Sequence, residues 1–127
     1  EQEGEEAMVV NRPEIILYTC RPDEDYLKEV CAGIEEEGVL YRIYSRQGDL
    51  DTLAFEAAAV SMLGCGIGIT GSKLAMQMQH LPKGKNVFEL NCPRFWQCRN
   101  LGANSARAVK KMPFKSVITG KMEESLL

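Results

Sequence analysis

The 127-residue sequence lacks a long hydrophobic run, a signal-like N-terminus and an excess of basic residues. No apolar stretch approaches the roughly 18 residues that a membrane-spanning helix needs, and no basic segment precedes an apolar one as in a signal peptide. We therefore expect a cytoplasmic protein without a membrane partner. Because 15 basic residues face 18 acidic ones, no overall positive field is available to hold nucleic acid.

Side chains for catalysis or metal binding are also few. The five cysteines are an odd number without CxxC spacing, which argues against a disulfide framework or a zinc site and indicates reduced, mostly buried thiols. The single histidine, His80, stands next to Leu81-Pro82. A nucleophilic cysteine or serine needs a nearby base, so a catalytic pair is disfavoured and we expect no catalytic residue in this chain.

What the sequence does contain is the alternating pattern of one α/β domain. The chain is 45% hydrophobic and 26% charged, as in a single globular domain. We predict a tail at 1–12, one domain at 13–119 and a second tail at 120–127. The predicted strands are 15–18, 39–45, 65–70 and 86–90, and the predicted helices are 23–37, 50–63, 72–81 and 94–112. The residues after Phe114 are predicted to add one edge strand.

This order of strands and helices predicts a mainly parallel sheet of four to five strands between layers of helices. The first helix has the strongest pattern, because Asp23 is placed to cap its start and apolar residues recur at helical spacing through Ile34. Gly38 is expected to end it in a left-handed conformation.

Three consecutive acids, Glu35, Glu36 and Glu37, end this first helix. A helix C-terminus already carries partial negative charge, so each exposed carboxylate there costs ~0.3–1 kcal/mol. An advance of ~100° per residue from the apolar face places Glu36 pointing outward and its two neighbours on the flanks. Two interpretations stay open: a solvated acidic helix end, or a carboxylate offered to a cation or a basic partner surface.

A literal GxGxxG stretch occupies Gly66–Gly71, with Glu89 downstream. It could be a dinucleotide fingerprint, but that motif requires a strand that ends at the first glycine. Here Ile67 and Ile69 alternate as though the glycines lay inside the strand. The pattern therefore favours a glycine-rich strand that a helix approaches closely.

An aromatic and basic cluster precedes the end of the chain, and its members are Arg94, Phe95, Trp96, Arg99 and Arg107. Such residues can stack on nucleic-acid bases, but the acidic net charge favours a protein contact. Ordinary exposure on a helix face is the alternative.

Two stretches together indicate a family: GIEEEGV at 33–39 and RNLGANSARAVKKMPF at 99–114, with Leu81-Pro82 between them. They resemble the small subunit of the factor that reactivates adenosylcobalamin-dependent diol and glycerol dehydratases. The resemblance spans about Glu14 to Phe114, nearly the whole predicted domain.

The resemblance implies a role without enzymatic activity. Members of this family pair, as a heterotetramer, with a large actin-like and chaperone-like ATPase subunit, and the complex frees inactivated cobalamin from the stalled dehydratase. The small subunit is similar to the dehydratase medium subunit and exchanges with it on the dehydratase large subunit. The implied fold is a three-layer α/β/α sandwich like that of anticodon-binding domains, and enclosure in a bacterial microcompartment stays open.

The resemblance also implies a site. The middle glutamate of the motif, Glu36, is expected to help ligate Mg²⁺ or Ca²⁺ in the large subunit, which binds ATP and ADP. The chain would then have no cofactor of its own. The residues expected to bind a partner are Glu35, Glu36, Glu37, Arg94, Trp96 and Arg99.

Two alternative functions are left open by the sequence. The first is the medium-type subunit of a dehydratase itself, and the second is a small nucleotide-binding enzyme that uses Gly66–Gly71. The choice between a diol and a glycerol dehydratase, and the oligomeric state of the isolated chain, are open as well.

Overall fold

The computed structural model describes residues 12–116. In chain order the elements are β1 Glu14–Pro22, α1 Glu24–Glu36, β2 Leu40–Ser45, α2 Leu50–Val60, β3 Cys65–Gly71, β4 Lys73–Met78, β5 Phe88–Asn91 and α3 Phe95–Lys110. None of these helices is long and apolar enough to cross a membrane. The predicted tails at 1–12 and 120–127 lie, apart from residue 12, outside the described residues.

The five strands form one sheet in the order β2-β1-β3-β4-β5. Strands β2 and β3 run parallel to β1, whereas β4 is antiparallel to β3 and β5 is antiparallel to β4. The predicted α/β class and strand number are confirmed. Four of the five strands run in the same direction, as predicted for a mainly parallel sheet, and only β4 is reversed. The sheet is mixed because one predicted helix is this reversed strand.

That strand is β4, which replaces the helix predicted at 72–81. Its residues, such as Leu74, Met76 and Gln77, are good helix formers in isolation. However, Gly71 adopts a positive φ of 54° and turns the chain back along β3, where these three side chains are completely buried. Burial on both faces of the sheet therefore overrides local helix propensity.

The interior strand β1 packs against helices on both faces of the sheet, which makes the three layers. Ile15 and Leu17 share a core with α1 and α3. Ile16 and Tyr18 on the opposite face contact α2. Since successive strand residues point to opposite faces, a strand covered on both sides needs the continuous apolar run that the sequence shows.

The glycines of β3 allow α2 to approach the sheet. A Cβ on Gly66 would lie 2.1 Å from the backbone nitrogen of Ala58, and one on Gly68 would lie 2.7 Å from that of Ala54. The strand continues to Gly71 and is followed by β4 rather than by a helix. The glycine-rich strand is therefore confirmed, and no helix N-terminus follows these glycines to receive a pyrophosphate.

The ends of the helices follow the predicted signals in part. Asp23 Oδ1 accepts hydrogen bonds from the backbone nitrogens of Asp25 and Tyr26 at the start of α1, and Gly38 has the expected positive φ of 76°. The last helix ends at Lys110, where Lys111 takes the left-handed conformation before Pro113. Residues 115 and 116 are not strand, and the rest of the predicted edge strand lies outside the described residues.

The five cysteines are all free of disulfides, and three of them are buried. Burial raises the pKa of Cys65 and of Cys98 to about 12. Both thiols therefore stay protonated at neutral pH, and a protonated thiol is a poor nucleophile and metal ligand. The prediction that most of the thiols are buried is confirmed.

Candidate functional site

Helices α1 and α3 run side by side and touch at two glycines. A Cβ on Gly33 would lie 2.0 Å from the carbonyl oxygen of Arg99, and one on Gly102 would lie 2.0 Å from that of Val30. No side chain fits in these positions, so the two backbones are in direct contact. This contact places the basic side chains of α3 within reach of the acidic end of α1.

Glu37 is held against α3 by two cations. Arg107 Nε donates to its Oε2 at 3.0 Å, and Lys110 Nζ lies 3.6 Å from its Oε1. Lys110 also donates to the Glu37 carbonyl oxygen at 2.6 Å. The carboxylate is 10% exposed. Burial raises the pKa of Glu37, whereas the hydrogen bonds and charges of Arg107 and Lys110 lower it. The lowering prevails, so the pKa of Glu37 lies below its ordinary value.

Glu36 is much more accessible, with 43% of its side chain exposed. Its Oε2 accepts a hydrogen bond from Arg99 Nη1 at 3.0 Å, while Arg99 Nε donates to Glu29 Oε1 at 3.0 Å. The outward direction predicted for Glu36 is therefore observed. Within residues 12–116, no three or more histidine, cysteine or acidic side chains are grouped so as to hold a metal ion.

Glu35 is tied to the sheet instead. The hydroxyl of Tyr41 on β2 donates to Glu35 Oε2 at 2.6 Å, and this hydrogen bond raises the pKa of Tyr41. Each of the three glutamates thus has its own partner. The last turn of α1 contains no basic residue. The unfavourable placement of three carboxylates at its C-terminus is offset by side chains from β2 and α3.

The first turn of α3 presents an aromatic surface. Phe95 and Trp96 are both exposed, and the Phe95 ring meets the Tyr26 ring of α1 edge-on, with centroids 5.9 Å apart. Arg94 precedes them and is also exposed. The predicted aromatic and basic cluster therefore divides: its first members face solvent, while Arg99 and Arg107 form ion pairs with α1.

The sequence patterns did not indicate the role of Asn104. It is completely buried, its Nδ2 donates to Lys115 O at 2.7 Å, and its Oδ1 accepts from Lys115 N at 2.6 Å. Residues 113–116, here called the strap, are also held by Asn100 and by Arg107, which donates to Pro113 O at 3.1 Å. A polar amide on the apolar face of the last helix was the signal available in the sequence.

The sequence and the fold agree with those of known proteins. A family model described as dehydratase medium subunit matches residues 12–115. The propanediol dehydratase-reactivating factor small subunit of Citrobacter freundii is 34% identical over 105 residues, which cover 81% of this chain and 90% of that protein. The chain belongs to the family of dehydratase-reactivating factor small subunits. Since this relative is named for a reactivating factor, the medium-subunit alternative is not favoured.

Further relatives of the reactivating-factor family support the assignment. The diol dehydratase-reactivating factor small subunit of Klebsiella michiganensis is 35% identical over 102 residues, which cover 76% of this chain and 82% of that protein. A solved glycerol dehydratase reactivase superposes with a TM-score of 0.79 and 28% identity, covering 84% of this chain and all of that one. The resemblance seen in the sequence is confirmed.

One solved relative is a complex with ligands. The structure of a diol dehydratase-reactivating factor complexed with ADP and Mg²⁺ contains a chain that superposes with a TM-score of 0.79 and 32% identity. The match covers 83% of this chain and 99% of that one. That reactivating factor therefore binds a nucleotide together with a divalent cation.

Proposed function

We propose that this chain works with a large ATPase subunit to release inactivated cobalamin from a diol or glycerol dehydratase. Its membership of the reactivating-factor family supports this role. In this proposal ATP and ADP bind to the large subunit, and the small chain carries no catalytic residue. The closely packed glycines of β3 fit that division, since a Cβ at Gly66 has no room beside α2, much less a phosphate group.

The contact with the large subunit is proposed to centre on Glu36. Mg²⁺ and Ca²⁺ prefer carboxylate oxygens, and Glu36 accepts its hydrogen bond from Arg99 through Oε2. Among residues 12–116, Oε1 has no hydrogen-bond partner and is available for a cation. A lone carboxylate cannot hold Mg²⁺ tightly, so Glu36 would complete a site whose other ligands come from the large subunit.

The remaining predicted contact residues surround Glu36. Arg99 donates to it, Glu35 lies beside it, and the exposed Trp96 lies one turn before Arg99 on the same helix. Aromatic and arginine side chains of this kind are common anchors of protein interfaces. In this proposal Arg94 extends the surface, while Glu37 contributes indirectly by fixing the end of α1 against α3.

A second partner is the dehydratase itself. The match to the medium-subunit family model supports a chain shaped to take the place of the medium subunit on the dehydratase large subunit. Such an exchange would detach the factor from its ATPase and loosen the dehydratase around its damaged cofactor. We propose that the factor is a heterotetramer and acts in the cytoplasm or within a bacterial microcompartment.

The proposal is tested by reactivation. A dehydratase inactivated with cyanocobalamin is incubated with ATP, Mg²⁺, free adenosylcobalamin and either subunit alone or both together. We expect activity to return only with both subunits, and we expect no ATP hydrolysis by the isolated small chain. Recovery with the large subunit alone would contradict the proposed role.

A further inference from the structure

Arg99 lies between two carboxylates of α1. Its Nε donates to Glu29 Oε1 and its Nη1 donates to Glu36 Oε2, both at 3.0 Å. Glu29 and Glu36 are seven residues apart, which is about two helical turns, so they lie on the same side of α1. The two contacts use different nitrogens of the guanidinium and can exist at the same time.

The charges of this group, here called the exposed cluster, do not cancel. Two carboxylates and one guanidinium leave one net negative charge. Without Glu29, the pair of Glu36 and Arg99 would be neutral, and a cation that approached Glu36 would be repelled by the guanidinium. Glu29 therefore sets the net charge of the group that Glu36 presents to an approaching cation.

We propose that Glu29 is a positioning residue that neutralises Arg99, so that Glu36 keeps the negative charge with which it binds a divalent cation of the large subunit. This inference rests on the function proposed above. Glu29 is 24% exposed and Glu36 is 43% exposed. Water and salt screen the Glu29 contact less, so Arg99 remains with Glu29 when Glu36 turns to the cation.

The neighbouring group at the end of α1 shows the opposite balance. Glu37 faces both Arg107 and Lys110, so this group, here called the buried cluster, carries one net positive charge. A divalent cation would be repelled there. The cation preference is therefore assigned to the side of α1 where acids outnumber bases.

The experiment measures the Mg²⁺ concentration at which assembly with the purified large subunit is half-maximal, for the full-length chain and its variants. For Glu29→Gln we expect this concentration to rise about fivefold, the effect of losing one nearby exposed charge. For Glu29→Asp, which keeps a negative charge beside Arg99, we expect the concentration to stay within about twofold of the original. Glu56→Gln, an exposed charge on α2, is the matched control and should leave the concentration unchanged.

The outcomes distinguish the role of Glu29 from the contact of Glu36 with the large subunit. An unchanged Mg²⁺ requirement in Glu29→Gln, while Glu36→Gln abolishes the requirement, would overturn the role of Glu29 and leave the Glu36 contact standing. A Mg²⁺ requirement for Glu29→Asp as high as that of Glu29→Gln would also overturn it, since the charge of residue 29 would not be the cause. If Glu36→Gln itself had no effect, the Glu36 contact would fail. Circular dichroism of each variant confirms that the fold is intact.

Discussion

Two groups of charges at the same pair of helices differ in burial and in net charge. In the buried cluster, two cations hold the 10%-exposed Glu37. In the exposed cluster, one cation serves two acids, and Glu36 is 43% exposed. Adjacent residues of the same type therefore have different roles: Glu37 fastens α1 to α3, and Glu36 remains available to a partner.

The contact between α1 and α3 holds both clusters together, and breaking it should have the largest effect. Gly33→Ala places a Cβ 2.0 Å from the Arg99 carbonyl oxygen, and a backbone clash cannot be relieved by a rotamer change. We expect a loss of about 3 kcal/mol or more in the free energy of unfolding. Urea denaturation measures this loss.

The sign of the change in the free energy of unfolding makes the Gly33→Ala experiment decisive. On an exposed helix face, glycine to alanine stabilises by about 1 kcal/mol. A variant as stable as the original or more stable would show that the helices separate readily, and the two clusters would then not depend on close packing.

The buried cluster extends to the strap through Arg107, and Asn104 is the other main attachment. Asn104→Ala removes two hydrogen bonds, and the backbone nitrogen and carbonyl oxygen of Lys115 lose these partners. We expect a loss of about 2 kcal/mol in the free energy of unfolding. Asn100→Ala is the matched control, since it removes one exposed hydrogen bond to Ser116 and should cost less than about 1 kcal/mol. Equal losses would contradict the central role of Asn104.

The two glutamates can be compared directly. Glu37→Gln removes the charge from a largely buried pair, and we expect it to lower the free energy of unfolding by about 1–2 kcal/mol. Glu36→Gln changes an exposed pair and should lower it by less than about 0.5 kcal/mol. Urea denaturation at neutral pH distinguishes them. A larger loss for Glu36→Gln would reverse the assigned roles.

The pH dependence of the free energy of unfolding gives a smaller effect, which also distinguishes Glu37 from Glu36. Because the pKa of Glu37 lies below its ordinary value of 4.5, the folded state binds this proton less readily than the unfolded state. The stabilisation by Glu37 is therefore complete above that value and is lost as the pH falls through the lower folded-state pKa.

The difference in stability between the original chain and Glu37→Gln should accordingly shrink as the pH falls from about 6 to about 3. Unfolding measured by circular dichroism across that interval tests this expectation. A difference that is constant with pH would mean that the Glu37 carboxylate gains nothing from Arg107 and Lys110.

Much of the fold could be predicted from the sequence because its signals are local. The cap at Asp23, the apolar spacing through Ile34 and the stop at Gly38 all lie within α1 itself. The helix predicted at 72–81 was wrong, because the helix propensity of its residues is local, whereas the burial that makes this segment strand β4 comes from β3, β5 and the helices.

The site could be predicted only in part for the same reason. Helical periodicity identified Glu36 as the outward carboxylate. It could not show that Arg99 would reach Glu29 and Glu36, 70 and 63 residues away, because that contact depends on the packing of α1 against α3. The buried Asn104 was missed since its partner, the strap, is fixed only by tertiary structure.

The proposed cation contact of Glu36 is tested most directly by the Mg²⁺ dependence of assembly between this chain and the large subunit, measured by calorimetry for the original chain and for Glu36→Gln. We expect the original complex to tighten as Mg²⁺ is added and the Glu36→Gln complex to be weaker and insensitive to Mg²⁺. Assembly of Glu36→Gln that matches the original in affinity and in Mg²⁺ dependence would contradict the claim that Glu36 completes a cation site.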